Sequence, residues 1–142
     1  MQIRKIVRVE KPIDAVFAYL ADFTTTTQWD PGTVITVRTK GDGLIGTEYQ
    51  NTSTFAGRKT QLTYVVEEFT LNERIRLRGE NKSVIAHDTM TFRQIATGTE
   101  VTYTAELSFK GLARLIAIFL KPAFARLGNE AEVGMAKALR KL

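Results

Sequence analysis

Apolar and polar positions follow two different periods along this chain. Residues 2–10 set β-branched residues among charges, which reads as a strand. Ile13, Val16, Phe17 and Leu20 then recur at helical spacing behind Pro12, which suits a first helical turn, so a short amphipathic helix is expected over 12–21. Asp22 or Thr24 can cap a second short helix running to Trp29, and Pro31-Gly32 ends it. From residue 33 to Phe109 the period falls to two. "TVITVRT" (33–39) opens a series of strands separated by turn signals at Gly41, Gly43 and Gly46, then at Ala56-Gly57, Leu71-Asn72, Glu80-Asn81 and Thr97-Gly98. Such regular spacing predicts an antiparallel meander. Residues 111–142 return to the helical period and predict one long helix. Leu112, Leu115, Ile116 and Phe119 make one stripe of it, and Leu127, Ala131, Met135, Ala138 and Leu142 another. Thirty helical residues span about 45 Å, with a kink expected at Pro122.

The hairpins can be set in register. A two-residue loop at Ala56-Gly57 puts Tyr49 opposite Tyr64 and Asn51 opposite Leu62. A loop at Thr97-Gly98 puts Phe92 opposite Tyr103, Met90 opposite Ala105 and Asp88 opposite Leu107. Each register gathers most of the large apolar residues of both strands on one face, as a one-sided sheet requires. The inward face is then Tyr49 and Asn51; Leu62, Tyr64 and Val66; Ile75 and Leu77; the even positions from Val84 to Phe92; and the odd ones from Val101 to Phe109. Outward positions are Thr, Arg, Glu and Gln, with Arg74, Arg76 and Arg78 in a row.

Composition narrows the function classes. The 142 residues, 44% apolar and 25% charged, fit a single globular domain over 1–142. The absence of cysteine excludes disulfides, a thiolate nucleophile and cysteine metal sites. With no apolar h-region at the start, it points to a cytoplasmic protein without a signal peptide. The longest apolar run, "LARLIAIFL" (112–120), is broken by Arg114 and too short to span a bilayer. The net charge of +5 lies wholly in residues 110–142, which carry seven basic and two acidic residues. This is either a solvated helix face or a weak contact with an anionic membrane. No motif points to nucleic acid.

Candidate chemistry is sparse. His87 is the only histidine, and strand alternation turns it away from Asp88 onto the outer face, so the two form no dyad. A lone histidine without cysteine makes no structural zinc site, and no metal or cofactor is expected. Ser53, Ser83 and Ser108 lie in no nucleophile elbow. The glycines at 41, 43 and 46 lie between two strands with no Lys-Ser/Thr behind them, so they form no phosphate loop. Asp88 is the one carboxylate on the apolar face. Unpaired and buried, it would be costly and its pKa would rise. It needs Tyr103, Tyr64, Asn51 or a ligand as partner, or else a solvated place near the sheet edge.

The order of elements, with the stretches "KPIDAVFAYLADF…QWDPG" (11–32), "GDGLIGTEY" (41–49), "VVEEF" (65–69) and "TFRQIATGTEVTY" (91–103) and the Leu/Arg-rich end, resembles the helix-grip fold of the SRPBCC superfamily. That superfamily includes START domains, the birch-pollen allergen group and polyketide cyclase/dehydrase-like proteins. The resemblance covers essentially the whole chain. It implies an α+β fold: a curved seven-stranded antiparallel sheet wrapped around a long C-terminal helix, with two short helices between strands 1 and 2 and an elongated apolar cavity within. Trp29 would anchor a short, mostly exposed threonine helix, either as a plug or as part of the cavity end.

Three functions follow as expectations. One is a carrier or sensor of a small hydrophobic ligand such as a lipid, polyketide or isoprenoid, with Trp29, Tyr49, Tyr64, Leu77, Asp88, Met90, Tyr103, Phe119 and Met135 facing the pocket. Another is a polyketide cyclase or dehydratase in the same cavity, with Asp88 and Tyr103 as candidate acid and base. The last is a module that contacts a membrane or partner through the basic C-terminal helix.

Overall fold

The computed structural model describes residues 1–142. One antiparallel sheet contains β1 (Gln2–Val9), β2 (Thr33–Lys40), β3 (Glu48–Phe55), β4 (Arg58–Thr70), β5 (Arg74–Glu80), β6 (Val84–Ile95) and β7 (Gly98–Phe109), in the spatial order β1-β7-β6-β5-β4-β3-β2. Between β1 and β2 lie α1 (Ile13–Ala21), a 3-10 turn (Phe23–Thr25) and α2 (Thr26–Trp29). After β7 come α3 (Ala113–Ile116), a second 3-10 turn (Ala117–Leu120) and α4 (Lys121–Arg140). Helix α4 packs on β1 and also reaches the far part of the sheet. Its Asn129 accepts a hydrogen bond from Lys5 Nζ on β1 (2.6 Å), and its Phe124 ring meets Phe55 on β3 edge-on at 6.3 Å. Those strands stand near opposite edges, so the sheet bends around the helix. This is the helix-grip fold. No helix is long and apolar enough to cross a membrane.

The alternation of the meander sets this bend. Every expected inward residue is buried except Val84, Leu107 and Phe109, which are half-buried at one end of β6 and β7. The β3–β4 register is the expected one, with Tyr49 opposite Tyr64 and Phe55 opposite Arg58. Ala56 and Gly57 both take positive φ (51° and 79°), the turn whose twist matches a two-residue hairpin. The β6–β7 register differs from expectation by two residues. Phe92 pairs with Val101, Met90 with Tyr103 and Asp88 with Ala105, so the loop is Ala96-Thr97. Gly98 is inside the ladder because β1 passes over it; a Cβ there would sit 2.1 Å from the Val9 carbonyl oxygen. A two-residue slip keeps side-chain parity, which is why the inward set survives.

The long C-terminal helix is α4, shorter than the expected 111–142 because a 3-10 turn at Ala117–Leu120 separates it from α3. Pro122 sits in the first turn of α4, where its missing N–H costs nothing, so it starts a helix instead of kinking one. The expected first stripe is solvent-facing: Leu112, Leu115, Ile116 and Phe119 are 84, 71, 57 and 79% exposed. The second stripe packs inward through Ala131 and Met135, with Phe124 and Leu139 added.

The threonine run is also more structural than expected. Thr25 and Thr26 are buried. Thr25 Oγ1 donates to the carbonyls of Tyr19 and Asp22 (3.0 and 2.9 Å). Thr26 Oγ1 lies 2.8 Å from the Phe23 carbonyl and 2.6 Å from Thr36 Oγ1, while Thr27 Oγ1 accepts the Thr36 backbone N–H at 3.1 Å. The hydroxyls thus satisfy backbone groups that so short a helix leaves open, and pin it to β2. Asp22 caps the preceding turn through the Thr24 N–H. Trp29, 2% exposed, closes the run.

Candidate functional site

The two ends of the curled sheet are filled differently. At one end α1 inserts Val16, Phe17 and Leu20, all essentially buried. The Phe17 ring meets Phe69 and Phe92 edge-on at 5.3 and 4.9 Å. At the other end, where the β3–β4 and β5–β6 turns and the start of α3 meet, a cavity of about 490 Å³ remains. Ala56, Arg58, Ser83 and Ile116 border its exposed rim, and Leu62, Ala105, Leu107, Phe124 and Leu127 form apolar walls.

Its deep end carries the polar groups. Asp88 and Tyr103 are 7 and 8% exposed, and the Tyr103 hydroxyl donates to Asp88 Oδ2 at 3.1 Å. The β6–β7 register puts Tyr103 opposite Met90, one diagonal step from Asp88, which brings the two polar tips together. Burial pushes the Asp88 carboxyl up to about 7; the Tyr103 hydrogen bond opposes this and the charge of Asp30 adds to it. Near neutral pH this carboxyl therefore exists in both forms and can donate or accept a hydrogen bond. Burial likewise raises the hydroxyls of Tyr103 and Tyr64 well above the ordinary tyrosine value, so both stay protonated donors.

Tyr64 owes its position to Gly79, its partner across β4 and β5. A Cβ on Gly79 would lie 2.7 Å from the Tyr64 ring. A bare glycine in the strand lets the ring lie flat along the sheet, with Phe23 against its other side at 4.8 Å. Trp29 meets the Tyr103 ring edge-on at 5.6 Å, and its indole Nε1–H is buried with no partner. Asn51 donates to Thr36 Oγ1 (2.8 Å) and accepts from Ser53 Oγ (2.6 Å). Asp30 turns back on its own loop, accepting from the Gly32 N–H (3.1 Å) and Thr33 Oγ1 (2.9 Å), and burial raises its pKa.

Of the residues expected to face a pocket, the fold brings Trp29, Tyr64, Asp88 and Tyr103 together on the cavity. Tyr49, Leu77, Met90 and Met135 lie outside it, fully buried in the filled half of the core. Leu77 and Met90 sit on the central strands β5 and β6 and are fully packed, with no exposure to the cavity. Phe119 points to solvent, because the chain between β7 and α4 breaks before it can present a continuous inward stripe. Asn51, Asp30, Phe124 and Leu127 line the cavity without having been expected to. An inward-facing glycine at 79 was a readable sign of a large neighbour. Nothing in "WDPG" distinguishes a buried carboxylate from an ordinary turn. His87 is on the outer face, paired across the ladders with Arg78 and Glu106. No cluster of His, Cys, Asp and Glu is arranged to hold a metal.

Residues 2–142 match the family described as polyketide cyclase / dehydrase and lipid transport. The chain belongs to this family. An aromatase/cyclase from Streptomyces sp. R1128, Zhui, has a similar fold with a TM-score of 0.81 at 14% identity, over 97% of this chain and 92% of that one. A protein from Thermus thermophilus gives 0.80 at 13% identity, over 96% and 95%. The protein Ara h 8.0201 gives 0.64 at 11% identity, over 96% and 98%. At these identities the family member shares its fold with them and nothing finer. No curated protein matches the sequence.

Proposed function

We propose that this family member is a carrier or sensor that binds a small, mainly apolar molecule bearing one or two carbonyl or hydroxyl groups, of polyketide or isoprenoid type, in the open half of its core. The observation that supports this reading is the layout of the cavity: apolar walls leading to one hydrogen-bonded carboxyl–phenol pair at the deep end. The volume is that of pockets that enclose drug-sized ligands. Removal of apolar surface from water supplies the affinity, roughly 25 cal/mol per Å². Asp88–Tyr103 and the Tyr64 hydroxyl fix the orientation.

Native mass spectrometry after detergent-free purification, followed by titration with the uncharged probe N-phenyl-1-naphthylamine, tests the reading. The expected results are a co-purified mass or saturable 1:1 probe binding that quenches Trp29, the only tryptophan. Ala105→Phe, which fills the hollow, should abolish both. No adduct and no probe binding would contradict the proposal.

The carboxyl value near 7 favours a second reading, acid–base catalysis of an aldol-type cyclisation or dehydration. Asp88 would move the proton and Tyr103 would hold the carbonyl oxygen. Turnover of a polyketide-like substrate should fall in Asp88→Asn and Tyr103→Phe. Unchanged turnover in both would remove these roles.

A further inference from the structure

The connection between β7 and α4 turns its large side chains outward. Leu112, Leu115, Ile118 and Phe119 are 84, 71, 64 and 79% exposed, while Ala113 and Leu120 face the cavity. Leu112, Leu115 and Phe119 follow one another at spacings of three and four, so they share one side of the segment. So much contiguous apolar surface is uncommon on a soluble domain and marks a contact.

The charges around it say what that contact is. Arg58 and Lys59 open β4 just after the β3–β4 turn, the β5–β6 turn carries Lys82, and Arg114 and Lys121 lie within and just after the apolar segment. All five are exposed and none is in an ion pair. Of the acidic residues near this end, Glu80 is already held by Arg78 and Lys110, and Glu130, which lies beside the β3–β4 turn, by Arg126. No acidic residue occurs between Lys110 and Arg126. The opposite end also exposes leucines, Leu44 and Leu71, but beside the exposed Asp42 and Glu73. That end also exposes Ile45 and carries one unpaired cation, Arg38, so the open end differs by gathering five unpaired cations around its apolar side chains. These cations come from three separate places at one end of the sheet: the start of β4, the β5–β6 turn and the helical segment after β7. They suit a plane of phosphates better than a linear acidic peptide.

We propose that the open end docks on anionic lipid bilayers. Leu112, Leu115, Ile118 and Phe119 enter the boundary between headgroups and acyl chains, and the surrounding cations lie on lipid phosphates. In this pose the cavity rim faces the membrane, and an apolar ligand passes between bilayer and cavity without crossing water. The docking face is separate from the deep polar pair, so its failure would leave the ligand reading intact.

The test is co-sedimentation with phosphatidylcholine vesicles, with and without phosphatidylglycerol. Binding is expected only with the anionic lipid and should weaken as salt rises from about 0.1 M to about 0.5 M. Each cation near the surface contributes about fivefold, so Lys59→Gln with Lys82→Gln should lower partitioning on the order of 25-fold. Leu115→Asn with Phe119→Asn should lower it by more than about tenfold. All four side chains are exposed, and circular dichroism checks that the variants stay folded. No binding to anionic vesicles, or binding that neither pair weakens, would overturn the proposal. So would a concentration-dependent dimer abolished by the Leu115/Phe119 pair in a protein that ignores vesicles, which would make a second copy the occupant.

Discussion

The two ends of this sheet are built from the same alternation and differ in what closes them. At the sealed end, α1 is a continuous amphipathic helix that drives Val16, Phe17 and Leu20 between the strands, and three phenylalanine rings lock there. At the open end the closing segment is one helical turn followed by one 3-10 turn, and only Ala113, Ile116 and Leu120 of it reach the cavity. The strands alone do not decide whether a curled sheet encloses a core or a hollow. That depends on whether the closing element turns large side chains inward. The hollow in turn lets a carboxyl group persist on an apolar face, since a ligand or water can reach Asp88 where it could not reach Met90.

The largest effect should come from breaking the sealed end. Phe17→Ala removes a ring from a packed cluster and is expected to cost about 3–5 kcal/mol in a urea unfolding titration. The matching truncation at the open end, Leu107→Ala, should cost only about 1 kcal/mol, because that side chain is half-buried and already borders space. Equal costs at the two ends would erase the distinction.

The next effect is electrostatic. The Asp88 pKa is about 7 in the folded protein against an ordinary 3.8. Between those values the folded state keeps a proton that the unfolded chain releases, so stability falls as pH rises through this window and levels off above it. Asp88→Asn removes the dependence. It should be more stable than the parent by on the order of 2–4 kcal/mol at pH 8, with the gap closing toward pH 4. Melting temperatures across that range measure it, and a constant gap would show that Asp88 is not held protonated by burial.

A smaller effect is expected at Gly79. Its alanine variant pushes the Tyr64 ring off the sheet and into the cavity, at a cost of about 1–3 kcal/mol. It should also weaken binding of the naphthylamine probe, whereas the same cost without a change in probe binding would detach Tyr64 from the cavity.

How much of this was legible in the sequence depends on the interaction involved. Parity in a strand is a local property, so the inward faces from Tyr49 to Ala105 could be read from alternation. Asp88 stood out as the carboxylate on that face, with Tyr103 among its possible partners. The β6–β7 register could not be fixed, because Thr97-Gly98 and Ala96-Thr97 give the same parity. What separates them is a distant contact, Val9 passing over Gly98. Pro122 was read as a kink because a helical period runs through it, yet the same residue fits a helix start equally well. The apolar stripe from Leu112 to Phe119 looks like core in one dimension. Its exposure follows from where β7 releases the chain, beyond the reach of the sheet. The filled and hollow halves of the core were invisible for a related reason: Leu77 and Leu62 have the same pattern, yet Leu77 is packed and Leu62 borders the cavity.

The central claim is that Asp88 lies at the bottom of a hollow that an apolar molecule can enter. Carbon-13 NMR of the Asp88 side-chain carboxyl tests it most directly, by titration with pH in the absence and presence of N-phenyl-1-naphthylamine. The account predicts a midpoint near 7 for the free protein, and a further upward shift when the probe displaces water from the cavity. A midpoint at the ordinary aspartate value, unmoved by saturating probe, would contradict it.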